Sequence, residues 1–316
     1  MSDTSHHSDH LPVTTIAEDR TGCTPKEAPA TGHIIWLASY PKSGNTWFRA
    51  FLANYLREAD HPVDINRLGG GPIASARMMF DDEAGVKASE LTVDEIERWR
   101  PRVYEQISAA CTSPLFMKIH DAYTYNAQGE PLMSKAATQG VLYFVRNPLD
   151  VAVSYTHHAA AEIDSIIALM GDSATSMVGH PKRLFNQLRQ RLLSWSDHVL
   201  SWVDEPGLRV HVMRYEDMQL RPFETFRDAV TFVDLPDDAE RIERAIAHAS
   251  FEVLRGQEVE KAFQEKTFRA ESFFRKGKIG SWREVLTREQ VERLIADHGD
   301  VMRRFGYLTS TGELVY

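Results

Sequence analysis

The chain has 316 residues, and its 36 Lys and Arg against 45 Asp and Glu give a formal net charge of −9 at pH 7. This acidic balance disfavours a broad nucleic-acid-binding surface, so a polyanionic ligand would have to meet a local cluster of basic side chains. With 43% hydrophobic and 26% charged residues, the composition is that of a globular protein with a sizeable core.

Residues 1–31 are rich in Ser, Thr, Pro, Asp and His, which is typical of a disordered tail, and we expect one domain over residues 32–316. The tail lacks the basic and apolar regions of a signal peptide. No apolar run approaches the ~20 residues that cross a bilayer. The two cysteines, Cys23 and Cys111, do not suggest a structural disulfide. These features predict a cytoplasmic protein without a membrane span.

Predicted strands and helices alternate along the rest of the chain. The apolar runs HIIWLA (33–38), LFMKIH (115–120), VLYFVR (141–146) and RVHVMRY (209–215) predict four strands. The first and third are followed by segments with helical spacing of their apolar residues, NTWFRAFLANYLRE and NPLDVAVSYTHHAA. This alternation predicts a single-domain α/β fold whose parallel sheet is flanked by helices and binds ligands at the carboxyl ends of its strands.

Capping-box pairs predict two further helices: Thr92 with Glu95 opens one that runs to about residue 109, and Thr287 with Gln290 opens a late one. Residues 184–204 carry apolar side chains at helical steps, and we interpret this stripe as a core-facing helix. Segments 66–88 and 160–183 are rich in Gly, Ser and Asp and are expected to form loops or lids.

The stretch SYPKSGNTW (39–47) lies between the first strand and the first helix, where backbone N–H groups and the helix dipole favour an anion. In nucleotide hydrolases the lysine of such a loop follows the second glycine, but here Lys42 precedes Gly44 and Asn45 follows it. The third strand ends in Arg146, where those enzymes place a carboxylate that holds Mg²⁺. The sequence therefore favours a phosphorylated ligand held without an obligatory metal, with a nucleotide-dependent kinase as the alternative.

Basic side chains gather at the predicted strand ends and in one glycine-rich loop. Lys118, His120 and Arg146 close the second and third strands, and the loop FFRKGKIGSW (273–282) carries three further cations. Two separate basic clusters suit a ligand with phosphate groups on two different carbons.

With these motifs the chain resembles the cytosolic sulfotransferases, which use 3′-phosphoadenosine 5′-phosphosulfate (PAPS) as donor and release adenosine 3′,5′-bisphosphate (PAP). YPKSGNTW resembles their 5′-phosphosulfate loop, RNPLDVAVSY their 3′-phosphate segment and RKGKIGSW their RKG loop. MKIH is similar to the Lys-x-His of their catalytic strand, and RYEDM to another family segment. The five elements occur in family order over residues 33–283.

The resemblance implies a P-loop-like sulfotransferase fold and a set of donor-binding residues. The 5′-phosphosulfate would be bound by Lys42, Ser43, Gly44, Asn45 and Thr46. The 3′-phosphate would be bound by Arg146, Ser154, Arg275, Lys276 and Gly277. Trp47 and Phe251 would sandwich the adenine, with Tyr215 and Ser250 nearby.

Three departures from the family pattern qualify what the resemblance implies. Asn45 replaces a threonine but retains its backbone N–H, and Ala249 stands where a threonine often bonds the adenine. In the segment 283–292, which resembles the family's dimer segment, Arg288 replaces a valine. The sequence does not decide between a monomer and a homodimer.

The resemblance also implies the catalytic roles. His120 is expected to be the general base, since the ordinary pKa of histidine, ~6.5, suits proton removal near neutrality. Lys42 and Lys118 would stabilise charge on the sulfonate and the leaving phosphate, and Ser154 would hold Lys42 aside until the acceptor arrives. A binding protein without transfer activity is disfavoured because these four residues are all present.

The acceptor is expected to be a small-molecule alcohol or phenol with a hydrophobic body, with a carbohydrate as the alternative. We expect its pocket to lie near Tyr123 and Tyr125 and to be formed by segments 66–88 and 160–183. The apolar residues of those segments are Met78, Met79, Phe80, Ile166, Ile167, Leu169, Met170 and Met177.

Overall fold

The computed structural model describes residues 32–69, 72–178, 184–267 and 269–316. The tail expected at residues 1–31 lies outside these ranges. Within them, no helix is both long and apolar enough to cross a bilayer.

In chain order the strands are β1 (Ile34–Ser39), β2 (Leu115–Ile119), β3 (Thr138–Val145), β4 (Ser176–Met177), β5 (Gln190–Arg191) and β6 (Val210–Arg214). Four parallel strands form the central sheet, in the order β2-β1-β3-β6. Their apolar runs are those that the sequence marks as strands. A short antiparallel pair, β4 with β5, lies apart from this sheet.

The register of the sheet brings the carboxyl ends of its strands to one edge. Ser39 at the end of β1 is opposite Phe144 of β3, and Val145 is opposite Arg214 of β6. Ala38 is opposite Ile119 at the end of β2. Because β1 connects onward to one side of the sheet and β3 to the other, a crevice opens between their carboxyl ends, where ligands bind in such folds.

Helices flank the sheet on both faces. They are α1 (Asn45–Arg57), α2 (Arg77–Ala84), α3 (Val93–Ala110), α4 (Pro148–Ala159), α5 (Ile163–Gly171), α6 (Trp195–Val203), α7 (Tyr215–Leu220), α8 (Pro222–Phe232), α9 (Ala239–His248), α10 (Phe251–Lys261) and α11 (Arg288–Arg304). Both predicted capping boxes are present, at Thr92 for α3 and at Thr287 for α11.

The core divides into two apolar layers because successive side chains of a strand point to opposite faces. From β1, Ile34 and Trp36 enter the layer packed by α3 to α6 and α11, whereas Ile35 and Leu37 enter the layer packed by α1, α8 and α9. The described residues thus form one α/β domain, which confirms the predicted fold class.

Two predictions about helices and loops were wrong. The stripe at 184–204 is helical only from Trp195, because Ser194 caps α6 by accepting a hydrogen bond from the backbone N–H of Asp197. Upstream of it Leu188 and Leu192 are buried from irregular chain around β5, and Leu184 is 72% exposed. The segments 66–88 and 160–183 are not only loops, because they contain α2 and α5.

Candidate active site

A cavity of about 680 Å³ opens at the carboxyl edge of the sheet. Its wall is built from the loop after β1, the ends of β2 and β3, and the glycine-rich loop before α11. Every predicted site residue except Ser250 lines this cavity. Those residues are Lys42, Ser43, Gly44, Asn45, Thr46, Trp47, Lys118, His120, Arg146, Ser154, Tyr215, Phe251, Arg275, Lys276 and Gly277.

The loop after β1 turns sharply into α1. Gly44 precedes the helix with φ 102°, and a Cβ there would lie 2.9 Å from Cδ2 of Tyr215, so the turn requires glycine. The buried Asn45 donates from Nδ2 to the carbonyl oxygen of Leu37 at 2.7 Å, which ties the first turn of α1 to β1. The amide of Asn45 therefore has a structural role, and the first turn of α1 lines the cavity with its N-terminal end, where backbone N–H groups favour an anion.

Four buried polar atoms of cavity-lining residues have no hydrogen-bond partner among the described residues. They are Oγ of Ser43, Oδ1 of Asn45, Nε of Arg146 and Nδ1 of His158. Because buried polar groups are ordinarily hydrogen-bonded, such orphans in a cavity wall fit a polar ligand. Ser43 and Arg146 are among the residues that the sequence predicts for the two phosphate groups of the donor.

Arg146 links the two basic clusters. Its guanidinium stacks 4.2 Å from the ring centre of Tyr215 and donates to the carbonyl oxygens of Lys42 and Lys278, each at 3.3 Å. Burial, together with the charge of Arg146, lowers the pKa of Arg275. An anion placed among these cations would relieve that like-charge repulsion.

Asp150 of α4 holds the glycine-rich loop in place. Its buried carboxylate accepts hydrogen bonds from the backbone N–H groups of Gly280 and Trp282, at 2.8 and 3.1 Å, and from the hydroxyl of Ser281 at 3.0 Å. Asp150 lies in the first turn of α4, four residues after Arg146, so α4 fixes the loop relative to the end of β3.

Aromatic side chains line the part of the cavity expected to hold adenine. Trp47 packs edge to face on Tyr215, with ring centres 5.9 Å apart. The ring of Phe251 lies against Gly277, where a Cβ would be 2.5 Å from its Cδ2. Ser250 does not line the cavity because its hydroxyl caps α10, accepting a hydrogen bond from the N–H of Val253.

His120 has a defined tautomer. Its Nδ1 lies 2.8 Å from the carbonyl oxygen of Ser39, and a carbonyl can only accept, so Nδ1 carries the proton and Nε2 the lone pair. Burial, followed by the charge of Lys118, holds the pKa of His120 well below its ordinary value. The imidazole is therefore neutral at pH 7 and able to accept a proton.

Lys42 is poised between its charged and neutral forms. Burial, then the charges of Arg146 and Lys118, lowers the pKa of its ammonium from 10.5 to about 7. The nitrogen lies 3.9 Å from the ring centre of Phe273, a cation–π contact. Ser154 lines the same cavity from α4.

Sequence reasoning missed Arg49 and Glu265. The carboxylate of Glu265 accepts hydrogen bonds from Lys118 at 2.8 Å and from Arg49 at 2.7 Å. Glu265 is 147 residues from Lys118 in sequence, so no local pattern points to the contact. The charged residues around Glu265 in the sequence do not distinguish it from a surface glutamate.

The expected lining of the acceptor pocket is found in part, because Pro72 and Ile73 of segment 66–88 and Met177 and Val178 of segment 160–183 line the cavity. Of its eight apolar residues only Met177 lines the cavity. Met78 is 75% exposed, whereas Phe80, Ile166, Ile167 and Met170 are core residues. Tyr123 packs on Trp202, and the hydroxyl of Tyr125 donates to Glu205, so neither tyrosine lines the cavity.

The sulfotransferase domain family model matches residues 33–306. The chain belongs to the sulfotransferase family. It is 30% identical to a cytosolic sulfotransferase of Arabidopsis thaliana (number 15) over 275 residues, which cover 83% of this chain and 70% of that protein. It is 25% identical to flavonol 3-sulfotransferase of Flaveria bidentis over 277 residues, covering 82% of this chain and 78% of the relative.

Among solved structures, retinol dehydratase in a complex with retinol and PAP has a similar fold. The TM-score is 0.56 at 19% identity, and the match covers 91% of this sulfotransferase and 84% of that chain. The predicted class, a PAPS-dependent sulfotransferase that releases PAP, is confirmed by the family match. The family match decides against the kinase alternative.

Proposed function

We propose that this sulfotransferase transfers the sulfuryl group of PAPS to the hydroxyl of a small hydrophobic alcohol or phenol, with His120 as general base and no obligatory metal ion. The observation that carries the proposal is the tautomer of His120, whose Nδ1 is held by Ser39 in a cavity that also contains Lys42 and Lys118. We further propose a cytoplasmic enzyme with residues 32–316 as the catalytic domain and residues 1–31 as a tail.

Two clusters of the cavity wall would hold the donor. The 5′-phosphosulfate fits the loop of residues 42–46 at the N-terminus of α1, where Ser43 offers an unpartnered hydroxyl. The 3′-phosphate fits Arg146, Ser154 and residues 275–277 of the glycine-rich loop, whose residues 280–282 are bonded to Asp150. Trp47 and Phe251 supply aromatic faces for adenine, and Ser250 acts by capping the helix that carries Phe251.

The reaction needs one proton transfer and one exchange of bonds at sulfur. The acceptor oxygen forms the new S–O bond while the bond from sulfur to the bridging phosphate oxygen breaks, and PAP leaves with that electron pair. The acceptor proton passes to Nε2 of His120. Lys42 and Lys118 stabilise the negative charge that moves onto the bridging oxygen. Ser154 acts on Lys42, holding it aside until the acceptor binds.

The nature of the acceptor is supported by relatives and by the cavity wall. One relative is named for a flavonol, which is a phenol, and one structural neighbour is named for retinol, which is an alcohol. The wall also includes the apolar side chains of Ile73, Met177 and Phe273. Gln187 and Thr267 line the cavity as well, which keeps a carbohydrate hydroxyl as the second candidate.

A screen with labelled PAPS tests the acceptor class. Phenols, steroids, fatty alcohols and sugars are each incubated with the enzyme, and sulfated product is measured. We expect product from phenols or apolar alcohols and none from sugars, because Ile73, Met177 and Phe273 give the wall apolar surface for a hydrophobic acceptor. Product from sugars alone would contradict the hydrophobic acceptor and favour the carbohydrate.

Replacing Gly277 with alanine tests the adenine site. The new Cβ would lie 2.5 Å from Phe251 and displace its ring, so we expect PAP affinity to fall by about tenfold or more, the loss typical of one stacked base. Gly207→Ala is the matched control, because Gly207 also has positive φ but no atom within 4 Å of a Cβ. Equal PAP affinity in both variants would remove Phe251 from the adenine site.

A further inference from the structure

Glu265 is the one carboxylate that lines the cavity among the described residues. The cations of the same wall are Lys42, Arg49, Lys118, Arg146, Arg275, Lys276 and Lys278. A negative charge in a cavity built for a polyanion opposes ligand binding by simple repulsion. Its presence therefore calls for a different role.

The carboxylate is held from several sides. Nη1 of Arg49 lies 2.7 and 3.0 Å from its two oxygens, and Arg49 is only 8% exposed. The chain around it is anchored too: Gln264 donates its N–H to Asn66 at 2.8 Å, and the hydroxyl of Thr267 donates to the carbonyl oxygen of His158 at 2.8 Å. Glu265 is thus a fixed acceptor.

Lys118 is the flexible partner in this arrangement. Its ammonium donates to Oε2 of Glu265 at 2.8 Å and is largely buried. A lysine side chain has four rotatable bonds, and an acceptor in a fixed position restricts them. Arg49 lies one helical turn after Asn45, so the phosphate-binding end of α1 and the ammonium of Lys118 are connected through Glu265.

We propose that Glu265 is a positioning residue for sulfuryl transfer, which, held by Arg49, fixes the ammonium of Lys118 in the cavity and keeps it charged. The inference rests on the proposed function in one respect, the role of Lys118 at the transferring sulfonate.

The groups that surround Lys118 explain why the negative charge of Glu265 is needed to keep Lys118 charged. Arg49 of α1, Lys42 of the loop after β1, and the imidazoles of His120 and His158 surround it, and Glu265 is the anion of the group. Burial lowers the pKa of Lys118, and Glu265 opposes that shift. Removing the negative charge lowers this pKa further, so the charged form would be lost at a lower pH.

The test compares Glu265→Gln, Glu265→Asp and the control Glu260→Gln, whose carboxylate is exposed on α10. For Glu265→Gln we expect kcat to fall by about 10- to 100-fold, the scale of a misplaced catalytic group. The alkaline limb of its kcat–pH profile should move to lower pH by about one unit or more. Glu265→Asp retains the charge and should keep the alkaline limb while losing part of kcat. Glu260→Gln should behave as wild type.

Titration with PAP separates failure of this inference from failure of the proposed function. All variants should bind PAP at least as tightly as wild type, which also shows that they are folded. An unchanged or higher kcat in Glu265→Gln, or an alkaline limb that does not move, would overturn the positioning role. Failure of the wild type to bind PAP would instead overturn the proposed donor site.

Discussion

Replacing His120 with asparagine is expected to lower kcat by about 10²- to 10⁴-fold, the usual contribution of a general base, while leaving PAP affinity nearly unchanged. Asparagine still offers an N–H to the carbonyl oxygen of Ser39, which His120 contacts at 2.8 Å, but it has no basic nitrogen. The measurement pairs steady-state kinetics with a PAP titration. His61→Asn, an exposed histidine outside the cavity, is the control and should retain full activity.

The pH dependence of wild-type activity gives a second test of His120 as the general base. Because burial holds the pKa of His120 well below 6.5, its neutral form persists as the pH falls below that value. Activity should therefore decline only at a pH clearly lower than an ordinary histidine would give, and this acid limb should vanish in His120→Asn. Comparable turnover in the variant and the wild type would remove His120 as the base.

Replacing Lys42 with alanine is expected to damage both rate and donor binding, with kcat lower by about 10²- to 10³-fold, as when one electrostatic stabiliser of a transition state is removed. Lys42 has φ 71°, and alanine carries the same Cβ, so the substitution adds no backbone strain beyond that already present. The lost ammonium lies in the loop that would hold the 5′-phosphosulfate.

Lys42 also predicts how donor affinity depends on pH. The pKa of its ammonium is about 7 in the free enzyme, and a bound polyanion raises it. Below pH 7 the group is already charged and binding is unaffected; above pH 7 it must first gain a proton. PAP affinity should therefore weaken by up to about tenfold per pH unit above 7, until the pKa of the complex is reached.

In Lys42→Ala this pH dependence should flatten. Lys87→Ala removes one positive charge from an exposed site and serves as the control, with wild-type affinity at every pH. Calorimetric titrations with PAP at several pH values make the comparison. A slope equally steep in Lys42→Ala would show that another group takes up the proton.

The parts of this structure that were predictable from sequence are those with a local cause. The capping boxes at Thr92 and Thr287 depend on residues three positions apart, and the strand ends at Lys118 and Arg146 follow directly from apolar runs. Parallel strands then bring those ends to one edge without further information. For this reason the sequence could predict which residues would line one cavity.

The parts that were not predictable depend on long-range packing. Apolar character marks Ile166 and Ile167 for burial but does not say whether they face the core or a cavity, and they face the core. Likewise the apolar residues of 184–204 have helical spacing, but the helix begins only at Trp195. Leu188 and Leu192 are buried although the chain around them is not helical. The contact of Glu265 with Lys118 joins residues far apart in sequence and has no local signature.

Calorimetric titration of the wild-type protein with PAP in the presence of EDTA tests most directly whether protein cations alone hold the donor. We expect saturable binding of one PAP per chain, no change when Mg²⁺ is added, and little binding of ATP under the same conditions. The absence of PAP binding, or binding that requires Mg²⁺, would contradict the account.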